Sequence, residues 1–199
     1  MLPILAFDEQ AIRPQLGYWF DRHWIDPYES LVSILWKFAR ANSIPGYLLA
    51  RKVCGSGIDP YEGILPLRET VQWRWLHREH RVPRRALQES MVGELRRSAL
   101  APDLRFCRRC LSRGYQATIF QLAKVTRCPI HDEQLLDACL HCGFRIPLRL
   151  NTLVLDSPYV CPACRGRLAG RIPTISRHRP MQMPARICIT RKRLSEHLS

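Results

Sequence analysis

Eight residues of the metal-ligand type fall into four pairs, each with two residues between its members: Cys107/Cys110, Cys128/His131, Cys139/Cys142 and Cys161/Cys164. A two-residue gap lets both side chains of a tight knuckle point at one ion, and two knuckles brought together complete a tetrahedral zinc site. Paired in chain order, they give one site with three cysteines and a histidine (Cys107, Cys110, Cys128, His131) and one with four cysteines (Cys139, Cys142, Cys161, Cys164). The inserts between the knuckles are 17 residues (111–127) and 18 residues (143–160), so the spacing predicts two ribbon-like modules built one after the other. A cross-braced pairing of the first knuckle with the third is the alternative the same spacing permits.

The ligand count bears on function. A catalytic zinc usually has three protein ligands and keeps a position open for water or substrate, whereas four ligands dominated by thiolates make a closed, structural site. Two zinc ions per chain are therefore expected, and no catalytic role for them. A thioredoxin-like redox role would need a lone Cys-x-x-Cys within a βαβ pattern, which the sequence lacks. It also lacks a Walker-type phosphate loop, a GxSxG elbow, an HExxH motif and a set of carboxylates for two-metal chemistry. His141, inside the third knuckle, is expected beside the metal or at the surface, because two cysteines already occupy that knuckle. Cys54 reads as a small buried residue near a helix end, and Cys188 has no evident partner.

The start, "MLPILAFDEQAIRP", has no basic segment before its short apolar run, unlike a secretion signal. The longest apolar run in the helical parts, "LVSILW", is far below the roughly 20 residues a membrane span needs. The expectation is a cytoplasmic protein with no membrane partner, whose nine cysteines sit in a reducing compartment that favours metal over disulfides.

Charged residues make up an ordinary 24% of the chain, but 31 Lys and Arg stand against 17 Asp and Glu, for a net charge of +14. Most of the excess is arginine, which suits bidentate contact with phosphate, so nucleic acid is the default partner class. Arg84, Arg85, Arg96 and Arg97, with Arg105, Arg108, Arg109 and Arg113, are candidates for one basic face. The tail adds Arg177, Arg179, Arg186, Arg191, Lys192 and Arg193. Contacts of this kind set position on phosphates, not sequence. Trp73 and Trp75 are expected to pack in the core sooner than to stack on bases.

The organisation expected is a helical, helix-turn-helix-like part over 1–100, a tandem zinc-finger part over 101–170 and a basic tail over 171–199. The tetrapeptide DPYE occurs at 26–29 and 59–62. Asp26 can cap a helix that begins at Pro27, and the apolar face of Leu31, Ile34, Leu35 and Phe38 predicts that helix over 27–41. "NSIPG" breaks it, and a second helix ends at Gly55. From 67 to 98 the pattern is helical and basic, with Pro83 dividing two helices. "APD" at 101–103 reads as a linker. On this division, loss of Cys128 would unfold 104–138 and leave the N-terminal helices formed.

"ESLVSILWKFARANSIPG" resembles the N-terminal signature of the TniQ/TnsD transposition proteins. "LRFCRRCLSRGYQATIFQLAKVTRCPIHDEQLLDACLHCG" resembles their cysteine-rich half, with Arg105, Phe106, Gln121, Leu122, Pro129, Leu135 and Leu136 matching the frame beside the cysteines and His131. Arg108 stands where that family often has proline. The resemblance covers roughly 26–55 and 104–165. It implies a non-enzymatic, bacterial target-selection adaptor. Such a protein links a recognised DNA site, or a guide-RNA CRISPR effector complex, to an AAA+ ATPase that recruits a transposase. Members that read a fixed site carry long C-terminal DNA-binding domains, so a minimal adaptor that borrows its specificity is expected here. The alternative is a zinc-containing helix-turn-helix transcription regulator.

Overall fold

A computed structural model describes residues 18–80, 82–91 and 99–172. The principal helices are α1 (Leu31–Asn42), α2 (Gly46–Cys54), α3 (Trp73–His80) and α4 (Arg84–Ser90), followed by two single turns, α5 (Arg108–Leu111) and α6 (Thr152–Leu155). Pairing among the described residues outside helices is confined to isolated antiparallel bridges. The architecture is thus small, helical in its first half and built of turns and short bridges in its second. Among the described residues no helix is long and apolar enough to cross a membrane.

The first helix starts later than its periodicity suggests. Asp26–Glu29 is a turn, closed by the Glu29 N–H on the Asp26 carbonyl at 3.2 Å, and Tyr28 has φ 56°, which a helix cannot continue through. The backbone here pairs with the cysteine-rich half: Glu29 bridges Ala117, and the Ser30 N–H donates to the Gln116 carbonyl at 2.7 Å. The cap is therefore Ser30, whose hydroxyl accepts from the Ser33 N–H at 3.2 Å, not Asp26. Such a cap contributes about 1 kcal/mol. α1 ends as Ser43 turns left-handed, and α2 ends at Gly55, with φ 90°.

Two further sequence expectations give way to long-range pairing. Residues 67–72 form turns, because the Gln72 N–H donates to the Val53 carbonyl at 2.8 Å and anchors this stretch to α2. Pro83 does divide α3 from α4. Residues 101–103 are no loose linker: the Ala101 N–H donates to the Gln121 carbonyl at 2.8 Å, and Asp103 bridges Pro147.

One hydrophobic cluster runs through both halves. Leu35, Trp36, Leu49 and Val53 from the N-terminal helices share it with Phe106, Ile119, Phe120, Leu150 and Val154. Each such side chain contributes about 1.5–3 kcal/mol by leaving water. The Trp36 indole donates to the Val154 carbonyl at 2.7 Å and its ring meets Tyr159 at 5.2 Å. Packing is continuous across residue 100, where the sequence suggests a boundary. A buried ion pair lies against this junction. Glu29 accepts from Lys37 at 2.7 Å and from the Ser33 hydroxyl, while Lys37 also donates to the Trp24 carbonyl at 2.6 Å. Burial lifts the Glu29 carboxyl to about 7; Lys37 opposes the rise and Asp26 adds to it.

Candidate metal centres

Three of the four ligand pairs share one backbone device. The N–H of Cys128, Cys139 and Cys161 donates to the carbonyl five residues on, at 2.7, 2.9 and 2.8 Å. The N–H four residues on, of Asp132, Gly143 and Arg165, returns to the carbonyl of the same cysteine at 2.8, 2.8 and 2.9 Å. The returning residue is left-handed each time, with φ of 51°, 73° and 59°. An antiparallel bridge closes each knuckle at its base: Arg127 with Gln134, Ala138 with Arg145 and Val160 with Arg167. A chain bent this way presents the first and fourth side chains on one side. The Cys107/Cys110 pair is held differently, at the start of and within α5, with Cys107 as the residue that precedes the helix.

The knuckles meet in chain order. Cys107, Cys110, Cys128 and His131 form one cluster and Cys139, Cys142, Cys161 and Cys164 another, each with all donor atoms within 4.8 Å of one another. The cross-braced pairing is excluded. In the first, His131 turns its Nδ1 to the sulfurs of Cys107, Cys110 and Cys128 at 3.4, 3.3 and 3.7 Å, and Cys110 lies 3.7 Å from Cys128. In the second, Cys139 lies 3.7 Å from Cys164 and Cys142 lies 3.6 Å from Cys161. A tetrahedral ion with metal–sulfur bonds of about 2.3 Å sets its sulfurs about 3.8 Å apart. The donor sets fit that figure, and disulfides, at about 2.05 Å, do not. All eight residues thus fall in two clusters compatible with two metal sites.

The thiols themselves favour a cation. In the first cluster, hydrogen bonds from Cys107 and Cys110 outweigh burial and draw Cys128 down to about 3. Cys110 is pushed far up, by its hydrogen bonds with Cys107 and Cys128 and by burial. In the second, burial raises Cys139, but amide hydrogen bonds from His141 and Cys142, and the thiols of Cys161 and Cys164, hold it at about 7. Cys142 is lowered by the Phe144 amide yet pushed up to about 12 by Cys164, burial and the remaining thiols. Each cluster therefore keeps protons that several adjacent thiolates cannot release together, and a bound cation would remove that restraint.

The surroundings differ. Cys107, Cys110 and Cys128 are buried and His131 half-buried, whereas in the second cluster Cys142 and Cys164 are exposed. Glu133, which spacing does not pick out, stands beside the first cluster. It accepts from the Cys107 thiol at 3.8 Å and lies 3.7 Å from Arg109. His141 is exposed; its amide donates to Cys139 at 3.4 Å, but its ring is outside the ligand group. Cys54 is buried at the end of α2, donating to the Leu150 carbonyl at 3.2 Å, and burial lifts its thiol to about 11.

The candidate phosphate-binding arginines fare unevenly. Arg105 is half-buried and donates to the Leu122 and Ala123 carbonyls at 3.2 and 3.3 Å, so it braces the chain. Arg85 is exposed but paired with Glu89 at 2.8 Å. Arg84 lies over the Trp73 ring at 5.5 Å, and both Trp73 and Trp75 pack half-buried against the core. Arg108 and Arg113 are exposed. Arg96, Arg97, Arg177, Arg179, Arg186, Arg191, Lys192, Arg193 and Cys188 lie outside the described residues. In comparisons with known proteins, no family model and no curated protein matches this chain.

Proposed function

We propose that the chain is a non-enzymatic adaptor of the TniQ/TnsD kind. On this reading it links a DNA target site, or a guide-RNA CRISPR effector complex, to an AAA+ regulator of transposition. The observation that carries the non-enzymatic part is the closure of both donor sets. Each has four side chains at tetrahedral spacing, three or four of them sulfur, which suits a structural zinc ion and leaves no position for substrate. Zinc held by Cys107, Cys110, Cys128 and His131, and by Cys139, Cys142, Cys161 and Cys164, would supply cross-links and no reaction.

The transposition part rests on the resemblance of 26–55 and 104–165, together with the net charge of +14. The Glu-Ser-Leu at 29–31 in the first of those segments caps α1 and ties it to the cysteine-rich half, so it is architecture common to both segments. Two short helices, α1 and α2, joined over Ser43–Pro45, are what a helix-turn-helix regulator of transcription would also use. The two readings part on partners. A tagged pull-down with and without nuclease, read by mass spectrometry, brings down an AAA+ ATPase in both conditions if the adaptor reading holds. Recovery of RNA polymerase and nucleic acid alone transfers the reading to the transcription regulator.

A further inference from the structure

An exposed tyrosine stands against a half-buried one on α2. Tyr61 is 66% exposed and its ring centroid is 5.8 Å from that of Tyr47 at the start of α2. One turn on, the Arg51 guanidinium lies 5.7 Å from the Tyr47 centroid and 3.5 Å from its hydroxyl. Nothing about this display comes from a loose loop. The Tyr61 N–H donates to the Asp59 carboxylate at 2.8 Å, and the Gly63 N–H to the Asp59 carbonyl at 2.8 Å. The Pro60 carbonyl accepts from the Thr152 amide at 2.8 Å and from its hydroxyl at 3.1 Å. Gly63, at φ 63°, lies so close to Leu150 that a Cβ there would come within 2.3 Å of its carbonyl oxygen. Arg149 completes the clamp, donating to the Glu62 and Gly63 carbonyls at 3.2 and 3.4 Å while its side chain stays exposed.

A braced loop that holds a tyrosine outward at low entropic cost, against a second tyrosine that an arginine touches, has the chemistry of a stacking platform. We infer that Tyr61, backed by Tyr47, stacks an unpaired base of a nucleic-acid strand, with Arg51 and Arg149 beside the phosphates. The net positive charge of the whole chain favours a polyanion as the occupant. The chain carries +14, and the Asp59 carboxylate is turned onto the Tyr61 amide. Glu62, exposed next to Tyr61, opposes a phosphate, so its replacement by Gln strengthens binding. The site deepens the proposed function by naming where an unpaired strand is held, and it rests on nucleic acid being a partner.

The test uses the full metal-loaded chain with fluorescein-labelled ribo and deoxy oligonucleotides, and with a deoxy strand whose bases are removed. Tyr61→Ala is expected to lose on the order of tenfold or more in affinity for the intact strands, and nothing for the abasic strand. Tyr61→Phe, which keeps the ring, retains wild-type affinity. A strand carrying 5-iodouracil is expected to photo-crosslink to the peptide that contains Tyr61. Unequal affinity for the two intact strands assigns the ligand to RNA or to DNA. Wild-type binding that Tyr61→Ala leaves unchanged overturns the site while nucleic acid remains a partner. A wild type that binds no strand overturns the site together with the nucleic-acid part of the proposed function.

Discussion

The two cysteine clusters share their spacing and differ in what surrounds them. Residues 111–127 and 143–160 are inserts of nearly equal length, and both send apolar side chains into the common core. Yet the first cluster lies among buried sulfurs, while the second keeps two of its four at the surface. The cause is local. Three knuckles turn through a left-handed residue, but Cys107 and Cys110 lie at the start of and within α5, whose Cys110 and Leu111 are buried. The first cluster also has α1 beside it: the Tyr115 hydroxyl donates to the Pro27 carbonyl at 3.0 Å, and Gln116 and Thr118 pair with Ser30 and Tyr28. Nearly equal spacing thus builds two four-donor clusters without equal structural weight. The first site lies within the core, and the second lies at its edge, with Cys139 and Cys161 inside and Cys142 and Cys164 at the surface.

The largest effect that would sharpen this contrast comes from Cys128→Ser. A structural site of this kind contributes on the order of 10–16 kcal/mol to folding, comparable to the whole of the roughly 5–15 kcal/mol that holds a typical domain together. The variant is expected to lose its helical circular dichroism as a whole, in place of the local unfolding that a boundary near residue 100 would give. Next in size is Glu29→Ala. Among the described residues it leaves the buried Lys37 ammonium hydrogen-bonded to the Trp24 carbonyl alone, at a cost of about 3–5 kcal/mol in denaturant melts.

That cost has a pH dependence with a definite sign. Because burial lifts Glu29 from 4.5 to about 7, the folded chain keeps a proton that the unfolded chain has released between those values. Stability owed to Glu29 therefore falls as pH rises through this window, and the loss in Glu29→Ala is larger at pH 5 than at pH 7.5.

Smaller again is Cys142→Ser. The variant is expected to stay folded and to retain one metal ion where the wild type holds two, counted by native mass spectrometry. A variant that unfolds as Cys128→Ser does would erase the distinction between core and edge. The smallest effect belongs to Arg109→Ala. Its contact with Glu133 is exposed and 3.7 Å long, so the change in stability is expected to stay below about 1 kcal/mol, with both metals retained.

The ligand pairing was legible because it is written in short spacings: a two-residue gap fixes a knuckle whatever lies elsewhere. The same holds for the division of α3 from α4 at Pro83 and for the end of α2 at Gly55. What local pattern could not carry is pairing between distant segments. The start of α1 moves from Pro27 to Leu31 because Glu29 and Ser30 bond to residues 116 and 117. The stretch 101–103, with its Pro and Asp, reads as punctuation, yet it is drawn into pairing with Gln121 and Pro147. Arg105 illustrates the limit of charge counting: in sequence it is one more cation, and in the fold it serves two backbone carbonyls. Glu133 and the Glu29–Lys37 pair gave no signal, since an acid two residues past a ligand, or eight before a lysine, has no meaning until the chain is folded.

Amide exchange followed by mass spectrometry during stepwise chelation of the wild type tests the central claim most directly. Removal of the first metal is expected to release protection only at 139–144 and 161–167. Removal of the second is then expected to open α1 and α2 together with 104–138. Helices that keep their protection after both metals are gone would contradict the account, and would make the cysteine-rich half a separate unit.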